Sequence, residues 1–261
     1  MSGFVPALAS EWVKVRSLRS TYLILGLAVV LGLGVGLLEL GSVARHWATL
    51  PPEDRAAFDP VADSFTGFEY AELALGAFGV LVGTGEYTTG TIAATLASAR
   101  SRMRVYVAKL VVLAGLIVAV SLACSFAAFL LGQQALAGAG LGTSLDQPHV
   151  LRAVLGAGMY LSVVTLVGFG LGVLLRHTAG AMGVMVTLVF LAWPVARAVE
   201  SYSYVPDRWL LVNAADALVS VHAPVGPNVP RTPSLGMAAL ELVVYLVVFL
   251  ALGAWRASRD A

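Results

Sequence analysis

Gly85 and Gly90 in the stretch GEYTTGT (Gly85–Thr91) have the spacing of the two glycines of a Walker A phosphate loop, G-x-x-x-x-G-K-[ST]. The lysine that would reach the phosphates is missing. Thr91 stands in its place, and Ile92 stands where the metal-binding hydroxyl belongs. No strand-like run precedes the stretch, so the frame of a phosphate cradle is missing too, and the chain is not expected to bind nucleotide itself. There is no H-E-x-x-H zinc motif and no G-x-S-x-G nucleophile elbow. His46, His149, His177 and His222 fall in expected loops without metal-ligand spacing, and Cys124 lies alone inside an apolar run as a packing residue. No apolar run carries paired carboxylates deep inside it, as many proton-coupled pumps do. The chain is therefore expected to hold no catalytic residue, no cofactor and no metal. Glu241 is the exception to watch. A lone acid about two turns into the last apolar run is costly unless it faces protein or water. It either lines a polar pathway or is a carboxylate near the outer interface, hydrogen-bonded to a neighbouring helix or reaching headgroups. Glu39, Glu69 and Glu72 lie closer to the outer boundary, where a structural role fits better.

The elements that carry these residues are set by composition. Of 261 residues, 59% are hydrophobic and 12% charged, against about 25% charged in an ordinary soluble domain. Mean hydropathy is +0.86. Crossing the hydrocarbon core takes roughly 20 mostly apolar residues. Such runs predict spans at about 21–40, 107–131, 152–175, 178–197 and 235–255. A weaker run at 65–86 carries Glu69 and Glu72 near one end. Charge bias decides in its favour, because lysine and arginine favour cytoplasmic loops. With six spans and both termini inside, the cytoplasmic pieces hold Lys14, Arg16, Arg19, Arg100, Arg102, Arg104, Lys109, Arg176, Arg256 and Arg259, against only Glu11, Glu86 and Asp260 among the acids. Dropping the weak span would put Arg100–Lys109 outside. A net charge of +1 thus hides a strong sidedness, and it argues against a nucleic-acid partner. Only two of the 16 basic residues are lysines, a bias that suggests a GC-rich bacterial source. No cleavage site follows the first apolar run, so a signal peptide is not expected.

Ahead of the first span, Phe4, Leu8, Trp12 and Val15 recur at helical spacing and form one apolar stripe, with Lys14, Arg16 and Ser17 off it. This predicts an amphipathic helix over residues 4–19 in the cytoplasmic interface of a lipid bilayer, its basic residues near headgroups. The outer loop Gly41–Ser64 reads as irregular, and Gly132–His149 as a featureless connection. Arg176–His177 reads as a tight turn, and Pro194 should kink the fifth span. WLLVNAADALVSV (Trp209–Val221) reads as a short helix in a partly buried outer cap. Three G-x-x-x-G pairs, Gly32/Gly36, Gly79/Gly83 and Gly168/Gly172, allow close helix approach.

GEYTTGT itself lies where the second span meets the cytoplasm, and TIAATLASARSRMR after it reads as a short helix ending in Arg100, Arg102 and Arg104. With these features the chain resembles the membrane subunits (permeases) of type 2 ATP-binding-cassette (ABC) exporters. The resemblance rests on the N-terminal segment SEWVKVRSLRSTYLIL and on an E-x-x-x-G-T signature, here Glu86, Gly90 and Thr91. It rests also on ARSRMRVYVAKL, and on the proline-containing outer segment YVPDRWLLVNAADAL before the last span.

The resemblance implies an all-α polytopic membrane protein, a single transmembrane domain in a bacterial cytoplasmic membrane, with a coupling helix between spans two and three. It implies two permeases, of this chain or a related one, each engaged by a separate ATPase subunit that carries the ATP and magnesium. Glu86, Gly90 and Thr91 would shape the entry to the coupling helix, and Arg100, Arg102 and Arg104 would face the ATPase or headgroups. Six spans leave no room here for a nucleotide-binding domain, which agrees. The rival readings are an ion-coupled transporter or channel acting without an ATPase, and a non-transporting membrane scaffold. Composition leaves the substrate open, mildly favouring an amphipathic or hydrophobic one.

Overall fold

A computed structural model describes residues 4–88, 102–199, 210–221 and 233–259, and every regular element among them is helical. Helix α1 (Phe4–Ser17) is followed by extended Leu18, which redirects the chain into α2 (Arg19–His46). Next come α3 (Pro52–Ala57), α4 (Phe68–Thr88), α5 (Arg102–Ala137) and α6 (Val150–Leu175). The chain continues through α7 (Thr178–Val186), α8 (Ala192–Val199), α9 (Leu211–Val219) and α10 (Leu235–Ser258). Five helical stretches are long and apolar enough to cross a membrane: Arg19–Thr49, Ala62–Tyr87, Arg102–Ala137, Val150–Leu175 and Leu235–Ser258. A further apolar stretch is assembled from α7, a π turn (Thr187–Leu191) and α8. The π turn lies just before Pro194, which has no N–H to give to the helical ladder.

Helix α6 is the central post. It packs on α4, α5, α7, α9 and α10 and is buried along nearly its whole length, whereas α2 and α10 leave much of their surface outward. Glycine makes the tightest seam possible. A Cβ on Gly79 or Gly83 would strike the backbone of α6 at Thr165 or Phe169, and one on Gly168 or Gly172 would strike α4 at Gly76 or Val80. The same holds for α2 against the start of α4, where Gly67 meets the backbone of Gly32 and Gly36. All three expected small-residue pairs therefore sit in helix contacts, and α4 and α6 meet backbone to backbone.

The turn at Arg176–His177 forms as expected. Arg176 adopts a left-handed conformation (φ 56°) and donates its N–H to Gly172 O at 2.9 Å, and His177 Nδ1 accepts from Gly180 N at 3.1 Å to start α7.

Two loop expectations need correction. Residues 41–64 are largely helical, because α2 continues to His46 and Pro52 occupies a first-turn position where its missing N–H does no harm. Glu53 and Asp54 complement the positive end of that short helix. Residues 132–137 are likewise helical, held by Gln133. Its Nε2 donates to Pro60 O (2.8 Å) and Ser64 Oγ (3.1 Å), and its Oε1 accepts from Thr143 N (2.7 Å). At the end of the bundle away from the basic residues a cap closes around Asp59, which accepts from Val61 N, Ala62 N and Val221 N, while Arg152 donates to Ser220 O at 2.8 Å. Helix α9 lies against α6 and α10 with Leu211, Asn213, Ala214 and Leu218 buried, as a partly buried cap requires.

Candidate functional site

The basic end of the bundle holds an ion network built from α1, α4 and α5. Glu11 and Lys14 sit one turn apart on α1, where residues three apart share a face, and Lys14 Nζ reaches Glu11 Oε1 at 2.7 Å. The same ammonium reaches Glu86 Oε1, at the end of α4, at 2.8 Å. From the first turns of α5, Lys109 Nζ meets Glu86 Oε1 at 2.9 Å and Glu11 Oε2 at 3.8 Å. These are the only two lysines of the chain. The side chains of Glu86 and Lys109 are each 13% exposed, so their pair is shielded from water, whereas Lys14 at 38% is half open. Burial pulls the Lys14 ammonium down, but hydrogen bonds to Glu11 and Glu86 and their charges outweigh it and hold it above the ordinary lysine value. Glu86 Oε2 is buried and has no hydrogen-bond partner among the described residues, and neither does Nη1 of Arg102, the first residue of α5.

More contacts flank the same place. The Arg176 guanidinium lies 5.0 Å from the ring centre of Tyr87, next to Glu86, and donates to Arg256 O at 3.1 Å near the end of α10. Tyr106, one turn into α5, donates its hydroxyl to Leu250 O of α10 at 2.8 Å. Thr178 donates to Thr84 across the α4–α7 contact at 2.9 Å. So the last residues of α4 and the first of α5 are each tied to neighbouring helices, and α10 is held by α5 through Tyr106 and by the end of α6 through Arg176. The intervening residues 89–101 are their covalent link.

That link and its clamp lie within a match to the family model for ABC-2 family transporter proteins, which covers residues 7–193, more than two thirds of the chain. The chain belongs to the ABC-2 transporter family. No curated relative matches it. It is accordingly a multi-pass membrane protein and an ABC transporter permease, a member of a family whose membrane subunits associate with an ABC ATPase. The match starts in α1 and ends in α8, so the whole ion network of this ABC-2 permease falls inside it.

The residues singled out from the sequence fall in several places. Glu86 is central to the network. Gly90, Thr91 and Arg100, and with them most of the expected short helix, lie outside the described residues. Arg102 is half-buried and Arg104 exposed at the start of α5. On α1 of the permease the residues of the expected stripe divide between packed and open positions. Val15 is buried and Phe4 and Leu8 half-buried, but Trp12 is 46% exposed and Arg16 is exposed, while Glu11 and Lys14 turn inward. Lys14 therefore does not lie off the packed face. The reason is the ion network, since two carboxylates within 3 Å of its ammonium favour the inward rotamer over the headgroup side.

Glu11 and Lys109 were not legible as partners. The available signal was an acid three residues before one of only two lysines, in an otherwise basic segment. Glu241 is buried at 2% exposure on α10, far along the chain from this network.

Proposed function

We propose that this chain is the permease subunit of an ABC exporter in a bacterial cytoplasmic membrane. In this reading it works as a dimer with a second copy or a related permease, each engaged by a separate ATPase subunit that binds ATP and magnesium. Residues 89–101, with Gly90 and Thr91 at their entry and Arg100 near their end, are the coupling helix that docks on the ATPase. The observation that carries the reading is the four-membered ion network Glu11–Lys14–Glu86–Lys109, which clamps both ends of that segment to α1. A push on the segment can then enter the bundle at α4 and α5 without being lost in a loose hinge. From α4 it passes to α6 through the glycine seam, where two backbones in contact move as one body. The rocking of these bodies, with α1 anchored in the inner headgroup layer, opens a path to the outer leaflet. This requires an element with two discrete arrangements that both sites bias, and the dimer interface is that element here.

The test is to purify the tagged chain from its native membrane in mild detergent and assay vanadate-sensitive ATP hydrolysis in what accompanies it. An ATPase that co-purifies with the chain is the expected result. Replacing Arg100, Arg102 and Arg104 together by glutamate should then abolish transport while the protein remains monodisperse. Unaltered transport in that variant would overturn the assignment of the coupling helix. A chain that transports alone under an ion gradient would overturn the reading as a whole.

A further inference from the structure

Glu241 is the seventh residue of α10, roughly 9 Å along it from the outer end. Residues four apart share a helix face, so Glu241, Tyr245 and Phe249 form one column. The rings of Tyr245 and Phe249 are stacked with centroids 6.2 Å apart and planes 15° from parallel, and both pack against the core. Glu241 Oε1 is buried and takes no hydrogen bond, and no lysine, arginine or histidine among the described residues forms an ion pair with this carboxylate. Glu86 also has one unmatched oxygen, but its other oxygen meets both lysines; Glu11 pairs with the same two lysines, and Glu72 meets the hydroxyl of Tyr160. A buried acceptor left without a donor is costly, and with no donor to Oε1 among the described residues Glu241 fits a site that a bound ligand completes.

We propose that Glu241, Tyr245 and Phe249 form a recognition site for an amphipathic cation, a protonated amine carried on an apolar body. The ammonium N–H meets the unpartnered Oε1 as a charge-assisted hydrogen bond. The aromatic column below offers π-faces to the cation and flat apolar surface to the rest. Beside it Leu240, Val244 and Val248 run exposed along the helix, an apolar approach from the hydrocarbon phase. An anion would be repelled by the carboxylate, and a neutral lipid tail would leave it unmatched. The site deepens the permease reading and rests on it for its purpose. Its helix is the one held by Tyr106 of α5 and by Arg176 at the other end.

The test uses the full chain in lipid nanodiscs without any ATPase. The probe is monodansylcadaverine, a fluorescent aromatic bearing a protonated primary amine, compared with its neutral N-acetyl form. Saturable binding with about a tenfold preference for the ammonium form is expected of wild type. Glu241→Gln should erase the preference while leaving the thermal midpoint equal or higher, since it removes a charge that no described residue pairs. Tyr245→Leu with Phe249→Leu should weaken both forms alike. Equal binding of the two probes by wild type, or no saturable binding, overturns the site even if a variant fails to fold. A tenfold preference surviving in Glu241→Gln overturns it as well. Because no ATPase is present, none of these failures bears on the permease reading, which stands or falls on co-purification.

Discussion

Helix α4 carries a carboxylate toward each end, and the two are held in opposite ways. At the basic end Glu86 accepts from two ammonium groups, Lys14 and Lys109, with Glu11 completing the set. Nearer the outer end Glu72 is buried and meets the hydroxyl of Tyr160, with exposed Glu69 one turn before it and no cation paired to either among the described residues. One end is a charge network joining two successive helices to α1, which is far from both in sequence. The other is a hydrogen bond between two helices already locked together by glycine. The difference teaches where the bundle can respond to a partner: the half-open Lys14 leaves one edge of the network open to competition from a docking protein, whereas a buried hydroxyl–carboxyl pair offers no such edge.

The largest effect should come from breaking the seam between the two ends. Gly79→Val places a branched side chain against the backbone of Thr165 and should cost about 3 kcal/mol or more, measured by SDS unfolding in mixed micelles. If it is tolerated, α4 and α6 are not one body and the comparison of their ends loses its frame.

Next comes Glu86→Gln, which leaves Lys109 shielded without its nearest counter-charge. A loss of about 2–4 kcal/mol in the same assay is expected, at or below the usual range for a broken buried pair because the site is partly wet.

Glu72→Gln and Tyr160→Phe should each cost about 1 kcal/mol, since the amide still accepts a hydrogen bond and the phenyl ring keeps the packing. Equal losses for the two glutamine variants would erase the contrast between the ends.

The smallest effect is a pH dependence from Lys14. Because its ammonium is held above the ordinary value of 10.5, the stability it contributes is complete below that value and is lost as pH rises through the higher folded value. The difference in thermal midpoint between wild type and Lys14→Met should therefore hold below the ordinary lysine value of 10.5 and shrink only as pH rises beyond it. A difference that grows with pH would give the network the wrong sign.

Much of this molecule was legible before any coordinates. Apolar run length and the sidedness of arginine imply the spans, since both act locally along the chain. The three glycine pairs were legible as close contacts, though not which helix each would meet. The charge network was legible in only one member, Glu86. Lys14 and Glu86 are 72 residues apart, and no periodicity relates them; only the fold decides that an interfacial lysine turns inward. The helical outer segment was missed because Pro51 and Pro52 read as loop, although proline followed by Glu53 and Asp54 is also how a helix begins.

The most direct measurement is a double-mutant cycle on ATP hydrolysis by the co-purified complex, using Glu86→Gln, Lys109→Met and the two together. If the network transmits between the coupling segment and the bundle, each single change lowers cargo-stimulated hydrolysis about tenfold and the double change lowers it no further. Normal hydrolysis in well-folded single variants, or losses that multiply in the double variant, would contradict a shared coupling role for Glu86 and Lys109.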